Sequence, residues 1–158
     1  MADCLARARE AAREWNVEEI PAGDAARYGG PISVRPRLGQ GLFSFAVRDA
    51  YQGACAVTHE HSQPVLEAAH IRPYAMGGLH QVENGLLLRR DLHRLYDLGY
   101  VTVTPDYVFR VGDRLREEFN NGRSYYAMNN SRIAVPPEGL LQPSKRALDW
   151  HATTVFRG

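Results

Sequence analysis

The chain has 158 residues, with 19 Lys plus Arg against 18 Asp plus Glu and a formal net charge of +1. At 44% hydrophobic and 23% charged, it has the make-up of a globular domain with its own core. No stretch reaches the roughly 18 apolar residues of a membrane span, and the even charge excludes a binder that works by bulk positive charge.

The N-terminus lacks the apolar region of a secretory signal, which points to the cytoplasm. Residues 3–15 are expected to form a helix, since Leu5, Ala8, Ala12 and Trp15 recur at helical spacing. Residues 16–41, rich in Gly and Pro, read as an extended arm. A second amphipathic helix is expected over 42–52, through Phe43, Val47, Ala50 and Tyr51, with Gly53 as its stop. Ala54–Thr58 reads as a short strand, followed by the polar turn His59-Glu60-His61-Ser62. Val65–Ile71 is apolar and forms a strand that ends near His70. After the loop Tyr74–Glu83, Asn84-Gly85 leads into Leu86-Leu87-Leu88, which is expected to be buried. Arg90–Leu98 reads as a helix, with Asp91 near its start and Gly99 past its end. Tyr100–Thr104 and Tyr107–Val111 form a hairpin around Pro105-Asp106. Asp113–Phe119 is a short helix. Ser124–Met128 and Arg132–Val135 read as another hairpin through Asn129-Asn130-Ser131. Ser144 caps a final helix carrying Leu148, Trp150 and His151.

Two features stand out within the balanced composition. All of the basic residues except Lys145 are arginine. Genomic base composition explains this, but the planar guanidinium also suits phosphate. Five of the six histidines (His59, His61, His70, His80 and His93) lie between residues 51 and 100, where four Arg meet five acids. Histidine amid carboxylates points to metal or proton chemistry. Two cysteines, Cys4 and Cys55, are too few for a disulfide scaffold or a four-cysteine zinc site.

The chemistry concentrates in His70, Asn84, His93 and Asp97. His70 ends a strand, and Asn84 sits at the turn before the next one. His93 and Asp97 are four apart on a helix, so they share a face and can reach one ion. Phosphodiester hydrolysis needs such parts. A neutral imidazole, with an unperturbed pKa near 6.5, can take a proton from water. A divalent cation neutralises charge that builds on phosphate and leaving oxygen.

At these residues the sequence resembles the HNH endonucleases, which have a ββα-metal fold. The matching segments are CAVT at 55–58, LEAAHI at 66–71, Gly77-Gly78, NGLLL at 84–88 and DLHRLYDLGY at 91–100. The resemblance is strongest to a bacterial branch found with restriction and defence genes. It extends from PRLGQGLF at 36–43 to LDWH at 148–151 and Val155-Phe156. It implies an α+β fold: a ββα core over about 54–100, with helices and β-hairpins on both sides. Residues 1–35 would form a separate helix and arm. Residues 36–158 would be the nuclease domain, with 101–158 as its extension.

The resemblance also implies roles. His70 would be the general base, Asn84 would brace the loop that orients it, and His93 and Asp97 would hold the metal. Relatives often have Asp or His just before the base, where this chain has Ala69. Glu67 is the candidate replacement ligand, but strand alternation puts it on the face of Ala69, so the strand would have to bend. His59 stands where relatives have glycine. The Cys-x-x-Cys zinc clamp of many relatives is missing, which leaves packing to hold the unit together. Arg72, Arg89 and Arg90 are candidate phosphate contacts, with a solvated turn as the plain alternative. His59 and His61 are explained by a polar turn.

The expected function is a metal-dependent endonuclease acting on double-stranded DNA, in restriction or anti-phage defence. Mg²⁺ is the expected cation, with Mn²⁺, Ni²⁺ or Zn²⁺ as alternatives, and no membrane is involved. The competing readings are a module that binds nucleic acid without cutting, and a nuclease for single-stranded DNA or RNA. Nothing resembles a recognition helix, so a sensor or specificity domain in the same or a separate chain is expected.

Overall fold

Three consecutive leucines set the centre of the fold. In a computed structural model that describes residues 39–137 and 141–158, Leu86, Leu87 and Leu88 are all but inaccessible to solvent. They form β2 (Gly85–Arg89), which pairs antiparallel with β1 (Leu66–His70) so that Leu66 faces Arg89 and His70 faces Gly85. Here the apolar run without alternation is a strand covered on both sides. Two helices pack on this ribbon, α1 (Gln40–Ala50) and α2 (Arg90–Asp97). The helix expected at 3–15, Cys4 and the arm up to residue 38 lie outside the described residues.

Helix α1 buries Phe43 and Val47, one turn apart. They approach β2 so closely that a Cβ on Gly85 would lie 2.4 Å from Val47 Cγ2 and 3.1 Å from Phe43 Cζ. Only glycine permits that approach. Helix α2 follows β2 with no intervening loop. It buries Leu92 and Tyr96, and β1, β2 and α2 together make the expected ββα unit.

Two expectations from the sequence are corrected. Ala54–Thr58 is a buried turn and not a strand. The Cys55 N–H donates to the Glu60 carbonyl, and the His59 N–H to the Cys55 carbonyl, both at 2.9 Å. Ala56 then bridges outward: its N–H donates to Leu87 and its carbonyl accepts from Ala134, both at 2.8 Å. A short apolar run marks burial and leaves the backbone conformation open. His59 has φ 58°, a left-handed conformation that glycine adopts most easily.

The second correction concerns residues 124–135. Hairpin β3 (Val101–Val103) and β4 (Phe109–Val111) forms as expected, and so does α3 (Arg114–Phe119). Arg123–Tyr126, however, is a helical turn, α4. Arg132 makes an isolated bridge to Val108, so it extends the first hairpin instead of forming a second. Tyr125 and Tyr126 favour strands by propensity, but tertiary hydrogen bonds override that preference. The Tyr126 hydroxyl donates to the Gly112 carbonyl at 2.8 Å and that of Tyr125 to Asp91 at 3.3 Å.

Helix α5 (Lys145–Thr154) starts at Ser144, whose hydroxyl accepts from the Ala147 N–H, and packs on β3. It buries Leu148 and His151. The His151 ring lies flat on Tyr96, with centroids 3.6 Å apart and planes 13° apart. One ring nitrogen meets the Thr102 hydroxyl at 2.8 Å and the other the Tyr96 carbonyl at 3.1 Å. The architecture is α+β: helices around two small antiparallel sheets. Among the described residues no helix is long and apolar enough to cross a membrane.

Candidate active site

The loop between β1 and β2 is pinned by one side-chain amide. Asn84 is buried, and its Oδ1 accepts from the Arg72 N–H at 2.9 Å. Its Nδ2 donates to the carbonyls of Arg72 and Leu79, both at 2.9 Å. The Asn84 carbonyl accepts from the Ile71 N–H at 2.9 Å. Asparagine carries both a donor and an acceptor, so it closes the loop from each side. Gly78 completes the closure, because a Cβ there would lie 1.8 Å from the Arg72 carbonyl oxygen.

That loop begins just after His70, the last residue of β1. The His70 ring lies flat on Phe43, with centroids 3.8 Å and planes 11° apart. Its Nε2 is 3.0 Å from Nδ1 of His80. His80 in turn stacks on Tyr74, with centroids 4.8 Å and planes 10° apart. Sequence reading gave His80 no role. It lies in a loop without periodicity, and only its place in the histidine-rich third marks it.

Across the cleft, His93 stands between two carboxylates. Its Nδ1 is 2.9 Å from Glu67 Oε2, and its Nε2 is 3.4 Å from Asp97 Oδ2. The hydrogen bond with His93 and the Arg90 guanidinium hold Glu67 below its usual carboxyl range, against the effect of burial. Asp97 is shifted the other way, by burial and by the like charge of Glu67, although His93 and Arg94 oppose this. An ionised Glu67 assigns a hydrogen to Nδ1 of His93. In a neutral His93 the Nε2 lone pair then faces the Asp97 carboxylate, and a proton or cation between them relieves the repulsion.

This donor set fits a divalent cation as a two-point anchor. Adjacent ligands on an ion with bonds of about 2.1 Å stand about 3 Å apart, close to the 3.4 Å observed. Among the described residues, no group of three or more His, Cys, Asp or Glu forms a fuller cage. The remaining coordination would fall to water and phosphate oxygens. β1 departs from strict alternation: Leu66 and Ala69 are buried while Glu67 and Ala68 are half-buried. Glu67 thereby reaches His93, but at the ring nitrogen opposite the one facing Asp97. That position suits orienting the imidazole better than ligating an ion held between His93 and Asp97.

His70, His80, His93 and Asp97 line one cleft of about 410 Å³. His70 and His93 also line a second groove with Glu67, Arg48 and Arg90, so the two imidazoles form a ridge between open spaces. The three arginine candidates separate. Arg90 is well exposed and pairs with Glu67 at 2.7 Å beside the groove. Arg89 is committed to Asp91, with Nε 3.0 Å from Oδ1. Arg72 donates to the Met76 carbonyl at 2.7 Å and lies 5.1 Å from the centre of the Trp150 ring. His59 and His61 lie apart from this cleft, beside Ala134 and Val135.

Residues 55–104 match the model of a family described as HNH endonuclease. Among solved structures, the chain is similar to one titled "Modification dependent TagI restriction endonuclease". The identity is 18% and the TM-score 0.55, covering 72% of this chain and 37% of that one. At this identity the likeness is one of fold, and the chain spans little more than a third of that structure's length. No curated protein matches the chain.

Proposed function

We propose that this chain is an HNH endonuclease, a reading supported by the match over residues 55–104, and that it hydrolyses DNA phosphodiester bonds with His70 as general base and a divalent cation held by His93 and Asp97. The observation that carries this reading is the convergence of His70, His93 and Asp97 on one cleft, with Asn84 pinning the loop between the two strands.

In this mechanism His70 takes a proton from a water molecule in line with the scissile bond. The water oxygen attacks phosphorus, and the 3′ oxygen departs, which leaves a 5′ phosphate. Phe43 keeps the His70 ring from turning. Asn84 fixes the backbone that follows it. Glu67 holds the His93 ring through Nδ1, so that Nε2 faces the cleft beside Asp97. The cation would supply positive charge to the phosphate and the leaving oxygen. Mg²⁺ suits a shell completed by water and phosphate, and the imidazole ligand also admits Mn²⁺, Ni²⁺ or Zn²⁺. Arg90, exposed beside the groove, would meet a neighbouring phosphate.

Double-stranded DNA as substrate, a cytoplasmic setting and a role in restriction or anti-phage defence belong to the same proposal. So does the division into residues 1–35 and a nuclease domain over 36–158. The test incubates supercoiled plasmid with the full chain and each metal, with EDTA, and with the His70→Ala variant. Metal-dependent nicking that is lost in the variant is expected. Cleavage that survives in His70→Ala rules out the assigned base. Wild type that binds DNA in a salt-sensitive way and never cuts identifies a binding module instead. Labelled duplex, single-stranded DNA and RNA compared side by side fix the substrate.

A further inference from the structure

We propose that His80 is a positioning residue for the reaction: its Nδ1 accepts the hydrogen on Nε2 of His70 and so fixes the tautomer of the base. The inference rests on the nuclease reading of His70.

The two nitrogens are 3.0 Å apart, so one hydrogen lies between them when both rings are neutral. It belongs to either ring. If His80 donates it, Nε2 of His70 is used as an acceptor and Nδ1 carries the other hydrogen. The neutral ring then has no nitrogen left to take a proton from water. If His70 donates it, Nδ1 is the basic nitrogen of the neutral ring. The direction of this hydrogen bond therefore follows from the task of the residue. The same bond persists through the step. One O–H bond of water breaks and one N–H bond forms on His70. The electron pair stays on the water oxygen that attacks phosphorus. The resulting imidazolium still donates from Nε2 to His80, and a hydrogen bond to the charged form favours that form.

The surroundings hold His80 in place for this. Tyr74 lies flat against its ring. A Cβ on Gly39 would come within 3.3 Å of its Cδ2. His80 meets His70 edge to face, with centroids 5.1 Å apart, so a nitrogen points at a nitrogen while Phe43 covers the His70 face. The roles parallel those at His93, where Glu67 engages one ring nitrogen and the other faces the cleft.

The test combines a spectroscopic readout with kinetics on the full chain. Two-bond ¹H–¹⁵N spectra with labelled histidine, recorded at about pH 8 where free imidazole is neutral, report which nitrogen carries the hydrogen. His70→Ala assigns the signals. The expected wild-type result is a hydrogen on Nε2 of His70, with His80→Phe giving a mixture of tautomers. A hydrogen on Nδ1 of His70, or identical His70 signals in wild type and His80→Phe, overturns the proposal. In plasmid cleavage, His80→Phe keeps a ring against Tyr74 and is expected to lower kcat at least about tenfold with little change in KM. His80→Asn, which puts an acceptor near the place of Nδ1, regains most of the rate. If His80→Phe cuts like wild type, the positioning role is wrong and the nuclease reading stands. If wild type cuts nothing, the nuclease reading falls and takes the role of His80 in cleavage with it.

Discussion

Among the described histidines that lie flat on aromatic rings, His151 and His70 are built for opposite ends. His151 rests on Tyr96 in the core, 2% exposed, with each nitrogen facing a fixed group. Burial pushes its pKa down to about 4. His70 rests on Phe43 at the cleft, with nearly the same stacking distance and angle. Its Nε2 meets another imidazole, which can give or take a hydrogen. Stacking holds a ring in either setting. The partners of its nitrogens decide whether it can move a proton.

Substitution is the sharpest way to break that comparison. His70→Ala is expected to lower cleavage by about 10³-fold, within the usual range for a general base, while the melting temperature stays near that of wild type. His151→Ala should do the reverse. It removes packing and strands the Thr102 hydroxyl, at a cost of about 3 kcal/mol in a denaturant titration. Cleavage by its folded fraction should change little. A variant at His70 that unfolds the chain, or one at His151 that leaves stability intact, would erase the distinction.

Acid separates the two sites next. The folded pKa of His151 lies below the ordinary imidazole value of about 6.5, so the unfolded chain takes up a proton that the folded one refuses. This contribution to stability is fully present above about pH 6.5 and is lost as pH falls toward 4. Thermal melts should show about 2 kcal/mol less stability at pH 5 than at pH 7 from this group. His151→Gln, which does not titrate, should flatten that slope.

The smallest effect is expected at Glu67. Glu67→Gln removes the charge behind His93 but leaves an acceptor, so metal affinity by calorimetry should weaken about tenfold. The fold should not change. Unchanged affinity would mean that Glu67 serves Arg90 and not His93.

The sequence reading recovered what repeats or alternates. The strand–loop–strand–helix order was legible from the apolar runs at Val65–Ile71 and Leu86–Leu88 and the four-residue spacing of His93 and Asp97, and the resemblance to HNH endonucleases gave it the ββα reading. The turn at Cys55–Thr58 was not, since burial of a short apolar run is compatible with several backbones. The helical turn at Arg123–Tyr126 was hidden by tyrosines whose strand preference yields to their hydroxyl hydrogen bonds. At the site, His80 and the contact of Glu67 with Nδ1 depend on how the loop folds back and how β1 twists. Neither is carried by local periodicity.

Asn84 has a consequence for how the protein responds to its medium. It ties Arg72, Leu79 and Ile71 together through hydrogen bonds alone, beside a core in which Cys55 is a buried free thiol. The loop is therefore cross-linked without sulfur or zinc. Among the described residues a reductant has no disulfide to break, and the hydrogen bonds of Asn84 hold the loop whether or not the cleft carries an ion.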